Sequence, residues 1–438
     1  MSPRRLHKTL AWVAGVVAVL WAATGFLHPV MSWTAPRAAV QAPPDTPLDL
    51  QSVQPPAPLL AAQGLDQTTL VRLVMIEGAP VWLAADPQRP ERLALDARSG
   101  QLRPEAEERH AQALARHYAN LPDTEISSAQ LITAFSTDYP SVNRLLPVWE
   151  VRFDTPDGLT LYVDTGMDRL AAVTNDQRRI LLSVFQNVHT LKFLEPVEPL
   201  RLALIFALVG AVLLTTGFGA VMLLRARGRG LYRVHTVLAW IALPVTLMFT
   251  TSGLFHLVVT NNLSPEAPPA AQAFDVSALS APPTASPDIA INHLAASGGV
   301  WRIEASGRGF YLDPAWTDEG RARAFAGADE ATPVSLVTRF GGDYGFLNKR
   351  LPVWRVDGPE GAVFVDVREG LIAGAHHADP VKALEGWSFD NLHKWEFLHP
   401  LGRRNRDYAT MAATGVIILT ALFGVALLLR RRRTVSIP

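Results

Sequence analysis

Four stretches of this chain, residues 9–33, 202–224, 234–260 and 408–429, contain no Asp, Glu, Lys or Arg. A bilayer's hydrocarbon core takes about 20 mainly apolar helical residues to cross. Lipid leaves a single segment no other way to satisfy its backbone polar groups. Each stretch is therefore expected to be a transmembrane helix. The rest of the chain is then cut into two long segments, 34–201 and 261–407, a short loop, 225–233, and a tail, 430–438.

Orientation follows from the flanks, because Lys and Arg near helix ends favour the cytoplasmic side. Arg4, Arg5 and Lys8 precede the first stretch; Arg225, Arg227, Arg229 and Arg233 fill the short loop; Arg430, Arg431, Arg432 and Arg433 follow the fourth. All fall on one face, so both termini are expected in the cytoplasm of a bacterial inner membrane and both long segments in the periplasm. Arg403, Arg404 and Arg406 lie on the other face and weaken the bias without reversing it. The first stretch outruns a signal-peptide core and has a counterpart later in the chain, which favours a retained helix over a cleaved leader.

The absence of cysteine excludes disulfides, thiolate metal sites, iron–sulfur clusters and the attachment motif of a c-type haem. With a formal net charge of +0, no nucleic-acid partner is expected. No glycine-rich nucleotide loop opens a helix after a strand. Any reducing equivalents would come from a quinol or from another protein.

The chain repeats itself. His7, Leu10, Ala11, Trp12, Thr24, Gly25 and His28 recur at identical spacing as His235, Leu238, Ala239, Trp240, Ser252, Gly253 and His256. Asp138, Tyr139, Asn143, Pro147, Val148 and Trp149 recur as Asp343, Tyr344, Asn348, Pro352, Val353 and Trp354, and His189, Phe193, Leu194 and Pro196 as His393, Phe397, Leu398 and Pro400. Each half is thus span, long segment, span, and a parallel duplication of this kind carries a pseudo-twofold axis along the membrane normal.

Within the long segments, 148–153, a turn at Pro156, Asp157 and Gly158, and 159–163 read as a hairpin, repeated by 354–356 and 362–367. Residues 105–120 have helical spacing, and 334–339 are expected to begin a shorter helix. The proline- and alanine-rich 35–58 and 265–287 read as extended linkers. Trp149, Trp354, Tyr139 and Tyr344 are expected to be core aromatics. An α+β module in each half is the natural result.

Six of the 12 histidines sit at repeated positions: His7, His28, His189, His235, His256 and His393. Ionisable groups in membrane spans are costly and point to function. The 21 residues from His7 to His28 rise about 31 Å, so each such helix offers one imidazole near each face of the membrane. Neutral imidazole suits b-type haem iron, which is held without covalent attachment. Gly25 and Gly253, one turn before His28 and His256, are expected to leave room for the macrocycle. Arg201 and Arg403 are candidate partners of its propionates. His110 and His117, on a helix taken as surface, His293, His376 and His377 are weaker, and His399 is a second-line candidate.

These residues, with Tyr162, Val163 and Asp164 repeated as Phe364, Val365 and Asp366, resemble the PepSY-associated transmembrane family, which includes inner-membrane siderophore reductases of the ferrioxamine type. The resemblance covers nearly the whole chain. It implies an α-helical membrane protein with four transmembrane helices in two pseudo-symmetric pairs and two α+β periplasmic PepSY-like domains. It further implies two haems b, the six repeated histidines as the pool of axial ligands, membrane lipid as surroundings, and a ferric siderophore as the substrate from which Fe(II) is released. The pairing of ligands stays open: His7 with His235 plus two of the other four, or His28 with His393 and His256 with His189. No catalytic residue is singled out. The alternative is a non-catalytic binding or regulatory membrane protein; a transporter fits less well, since the polar groups cluster at span ends. His28→Ala and His256→Ala are expected to cost most, and His110→Ala nothing.

Overall fold

The four uncharged runs lie within helices long and apolar enough to cross a membrane: Pro3–Trp33, Lys192–Leu223, Leu231–Asn261 and Arg403–Arg430. This fits a multi-pass membrane protein with separate β-sheet structure. The computed structural model describes residues 2–224, 229–262, 271–279, 281–282, 290–377 and 379–435. Arg225, Arg227 and parts of the 265–287 linker lie outside the described residues. The chain divides into two compact units, Met1–Ala35, Gln177–Pro265 and Asp379–Pro438 forming one, Pro36–Asp176 and Glu266–Ala378 the other.

In the helical unit the first span packs on the second and fourth, and the third also packs on the second and fourth. Small side chains are prominent in its interior, with Ala14, Ala22, Thr24, Ala242, Ser252, Ala413 and Thr414 buried beside larger ones such as Val17, Val212 and Ile417. Small residues let helix backbones approach where no hydrophobic force distinguishes protein from lipid. Helix Asp176–His189 leads to the second span, and helix Pro380–Ser388 with the turn Phe389–His393 leads to the fourth. These lead-in helices lie inside the expected bounds of the long segments, 34–201 and 261–407, yet they pack with the spans.

The β unit keeps one α+β module per half. Strands Ile126–Ile132, Val148–Phe153, Thr160–Asp164 and Arg169–Thr174 form an antiparallel sheet covered by helix Ala106–Ala119. Strands Val334–Val337, Val353–Gly358, Gly361–Asp366 and Leu371–His377 repeat it beside helix Asp318–Ala326. Both expected hairpins form. The expected helix at 334–339 is instead an edge strand, because Val334, Leu336 and Val337 pair with Val353–Gly358 residues across the sheet; β-branched valines at both ends of the strand suit a pleat. The short helix lies earlier, where Thr317 caps it by accepting from the Gly320 amide at 3.0 Å. Tyr139 and Tyr344 are fully buried and donate to the carbonyls of Leu145 and Arg350. Trp149 and Trp354 pack at the core margins.

A third sheet joins the halves. Its six strands mix Leu70–Ile76, Ala79–Ala85 and Arg92–Asp96 from the first with Ile291–Ser297, Val300–Ala305 and Arg308–Tyr311 from the second. The seam is antiparallel, Leu73 opposite Leu294 and Val71 opposite Ala296. The two segments expected as two domains therefore share one compact unit.

Buried charges reinforce the joint. Arg169, in the first half, pairs with Asp366 and, at 2.7 Å, with Glu369 of the second, which Arg350 holds at 2.8 Å. Arg169 and Arg350 together pull the Glu369 carboxyl below its usual range against the cost of burial. His110 is not a surface residue: it is 7% exposed and sits 2.6 Å from Asp168, which Arg72 also engages. His117, by contrast, is half-buried and donates to the Ala42 carbonyl at 2.9 Å.

Candidate functional site

The six repeated histidines gather at two levels of the helical unit. At one end, His7 and His235 line a common cavity of about 160 Å³ walled by Ala11, Ala14, Gly15, Ala239 and Ala242. His7 Nδ1 lies 2.8 Å from the Thr215 carbonyl oxygen and His235 Nδ1 3.0 Å from that of Thr420. A carbonyl only accepts, so the proton sits on Nδ1 and Nε2 keeps its lone pair. That is the tautomer and the kind of support found behind metal-ligating imidazoles.

The neighbouring helices make room for these rings. A Cβ on Gly219 would lie 3.2 Å from His7 Cε1, and one on Gly424 3.2 Å from His235 Cε1. Thr215, Phe218 and Gly219 of the second span thus recur as Thr420, Phe423 and Gly424 of the fourth. This repeated pattern supplies carbonyl and gap together, one turn apart. Should this cavity take haem, Gly424→Val is expected to displace His235 and lower uptake at this end, while Gly217→Val, whose added Cβ meets nothing within 4 Å, does neither. Optical titration of the two variants with haem checks this.

At the other end lie His28, His189, His256 and His393. Thr24 gives its single hydroxyl proton to the carbonyls of Leu20 and Trp21, so its oxygen accepts from His189 Nδ1 at 2.9 Å. Ser252, engaged with the Met248 carbonyl at 2.6 Å, stands 3.3 Å from His393 Nδ1, which also reaches the Phe249 carbonyl at 3.2 Å. The small hydroxyl residue of the motif therefore orients the lead-in histidine of its own half. Gly253 opens space for that histidine too, since its Cβ would meet His393 Cε1 at 3.3 Å, whereas Gly25 lies against Thr414 of the fourth span. These contacts differ from the expectation that both glycines flank a macrocycle beside His28 and His256. Burial pushes both His189 and His393 down to about 4, leaving them neutral.

Aromatic rings connect the four. His28 meets Phe185 at 5.7 Å between centroids, Phe185 stacks on His189 at 4.8 Å, and His189 meets His393 edge-on at 6.4 Å. His393 stacks on Phe389 at 4.8 Å, and Phe389 on His256 at 3.9 Å. The six rings form one continuous row across the pseudo-twofold axis. Phe185 and Phe389, each four residues before a repeated histidine, belong to a further repeat, Phe185, Asn187 and His189 against Phe389, Asn391 and His393.

The arginines suggested as propionate partners are engaged elsewhere. Arg201 pairs with Glu198 at 2.6 Å and donates to the Thr190 carbonyl at 2.9 Å, and Arg403 donates to the Ser32 hydroxyl. His399 is exposed beside Glu396, His376 is exposed 3.8 Å from Asp343, and His293 is buried in the six-stranded sheet. No family model and no curated protein matches the chain.

Proposed function

We propose that this chain is a haem-b-containing oxidoreductase of the bacterial inner membrane, of the PepSY-associated transmembrane type, passing electrons outward to a periplasmic ferric siderophore or similar chelate. The observation that carries the reading is the set of His7, His235, His189 and His393, each buried or half-buried with Nδ1 committed to a carbonyl or hydroxyl oxygen. Such rings offer only Nε2, the coordinating atom, to the interior. Among the described residues no carboxylate lines the His7 end, and its walls mix alanine and glycine with threonines and larger apolar side chains such as Val212, Leu243 and Ile417, which suits a flat apolar macrocycle better than a hydrated ion.

Bound haem would supply reversible one-electron chemistry at each level. The chain's own residues do the rest. Thr215, Thr420, Thr24 and Ser252 fix tautomer and ring rotation. Apolar helix surfaces exclude water. The ring row from His28 to His256 places aromatic groups in contact across both halves. A quinol oxidised to quinone would release two protons and pass two electrons through the chain, or a reductase protein would pass them singly; each electron turns one chelated ferric ion ferrous, which oxygen ligands hold less firmly, and it is released.

The test is an optical spectrum and pyridine haemochrome assay of chain purified after expression with ample haem, beside reduction of a ferric hydroxamate followed with a ferrous-specific dye. A Soret band with b-type haemochrome is expected. His189→Ala and His393→Ala should lower haem content and reduction together, while His117→Ala changes neither. A colourless wild-type chain sinks the reading.

A further inference from the structure

The two halves of the four-histidine layer repeat one another in sequence, yet the span histidines His28 and His256 have different partners. His256 lies on Phe389 with planes 16° from parallel, and its Nδ1 donates to Glu385 Oε1 at 2.5 Å. Glu385 and Phe389 are four residues apart on the same lead-in helix and its final turn, so one helical face presents both. Phe389 fixes the plane of the imidazole, and Glu385 fixes its rotation within that plane. In the first half Phe185 takes the place of Phe389, and Leu181 that of Glu385. Leucine accepts no hydrogen bond, and His28 meets Phe185 at a tilt of 54°. Glu385 keeps only 14% of its side chain exposed, a costly position for a carboxylate that nothing in the repeat requires.

We propose that Glu385 is a positioning residue that makes two repeated sites unequal: it orients His256 and raises its basicity as a ligand, so that the redox centre on the His256 side has the lower potential. The inference rests on the haem reading above and adds an order between its centres. A carboxylate that accepts the Nδ1 proton pushes electron density toward Nε2 and favours the higher oxidation state of bound iron. The leucine at 181 gives His28 no such push.

Redox titration of the haem absorbance of the full-length chain, with electron paramagnetic resonance of its oxidised form, tests this. Glu385→Gln keeps an acceptor oxygen and removes the charge. It is expected to retain wild-type haem content, move one midpoint potential upward with altered g-values, and leave the others in place. Leu181→Glu, which adds a carboxylate in the other half, is expected to move a different midpoint downward. Unchanged potentials and g-values in Glu385→Gln with haem still bound overturn the proposal while leaving the haem reading intact. If Glu385→Gln does not assemble, the absence of any downward shift in Leu181→Glu overturns it. A wild-type chain without haem overturns the parent reading first.

Discussion

With haem as the proposed cofactor, a chain carrying His7→Ala and His235→Ala is expected to bind one haem fewer than the wild type and to lose ferric-chelate reduction by more than the roughly 10–100-fold that loss of an outer-shell partner costs. The two rings face one cavity, each is held by a carbonyl of the neighbouring span, and no other histidine lines that space. Their loss leaves the four-histidine layer untouched, because His28 and His256 lie 21 residues further along the same helices, about 31 Å away. Haemochrome quantification per chain measures the first effect. Dithionite-reduced spectra then report whether the remaining haem is intact. Full haem content in the double variant would move the ligands elsewhere and leave the cavity without a role.

Arg169→Ala is expected to destabilise the β unit by about 3–5 kcal/mol, the range for removing one member of a buried ion pair. Asp366 and Glu369 would stay buried with a carboxylate each, and only Glu369 retains another arginine, Arg350. Removing charge from Arg169 and Asp366 together, as Arg169→Met with Asp366→Asn, which leaves Glu369 paired with Arg350, should recover much of the loss. Arg355→Ala, at an exposed pair with Asp343 and Asp357, should change little. The urea midpoint of tryptophan fluorescence in detergent-solubilised full chain separates these cases. An Arg169→Ala midpoint equal to that of Arg355→Ala contradicts the network's role.

The spans, the hairpins and the helix at 105–120 were legible because each rests on local pattern: uninterrupted apolar runs, alternation around a turn, and helical spacing. The six-stranded sheet was not, since pairing Leu73 with Leu294 leaves no local mark in either strand. The face of His110 was legible too, for Ala106, His110, Leu114 and Tyr118 recur every four residues and all are buried. The repeated Thr, Phe and Gly of the second and fourth spans escaped for a different reason. Thr215 follows His189 by 26 residues and Thr420 follows His393 by 27, so a search without gaps loses the match. Which atom each histidine would offer was beyond sequence altogether, because it is decided by carbonyl groups that every residue possesses.

The antiparallel seam between Leu70–Ile76 and Ile291–Ser297 bears on the history of the chain. A duplicated gene begins as two self-sufficient copies. Here each copy's three-stranded portion ends in a strand whose open amide edge is satisfied only by the other copy. Separated, either half would leave unpaired the edge now joined at Val71, Arg72 and Leu73 or at Leu294, Ala295 and Ala296, a template on which chains aggregate. Either half made alone is therefore expected to aggregate, whereas the joined halves are free to differ, as they do at Glu385 and Leu181.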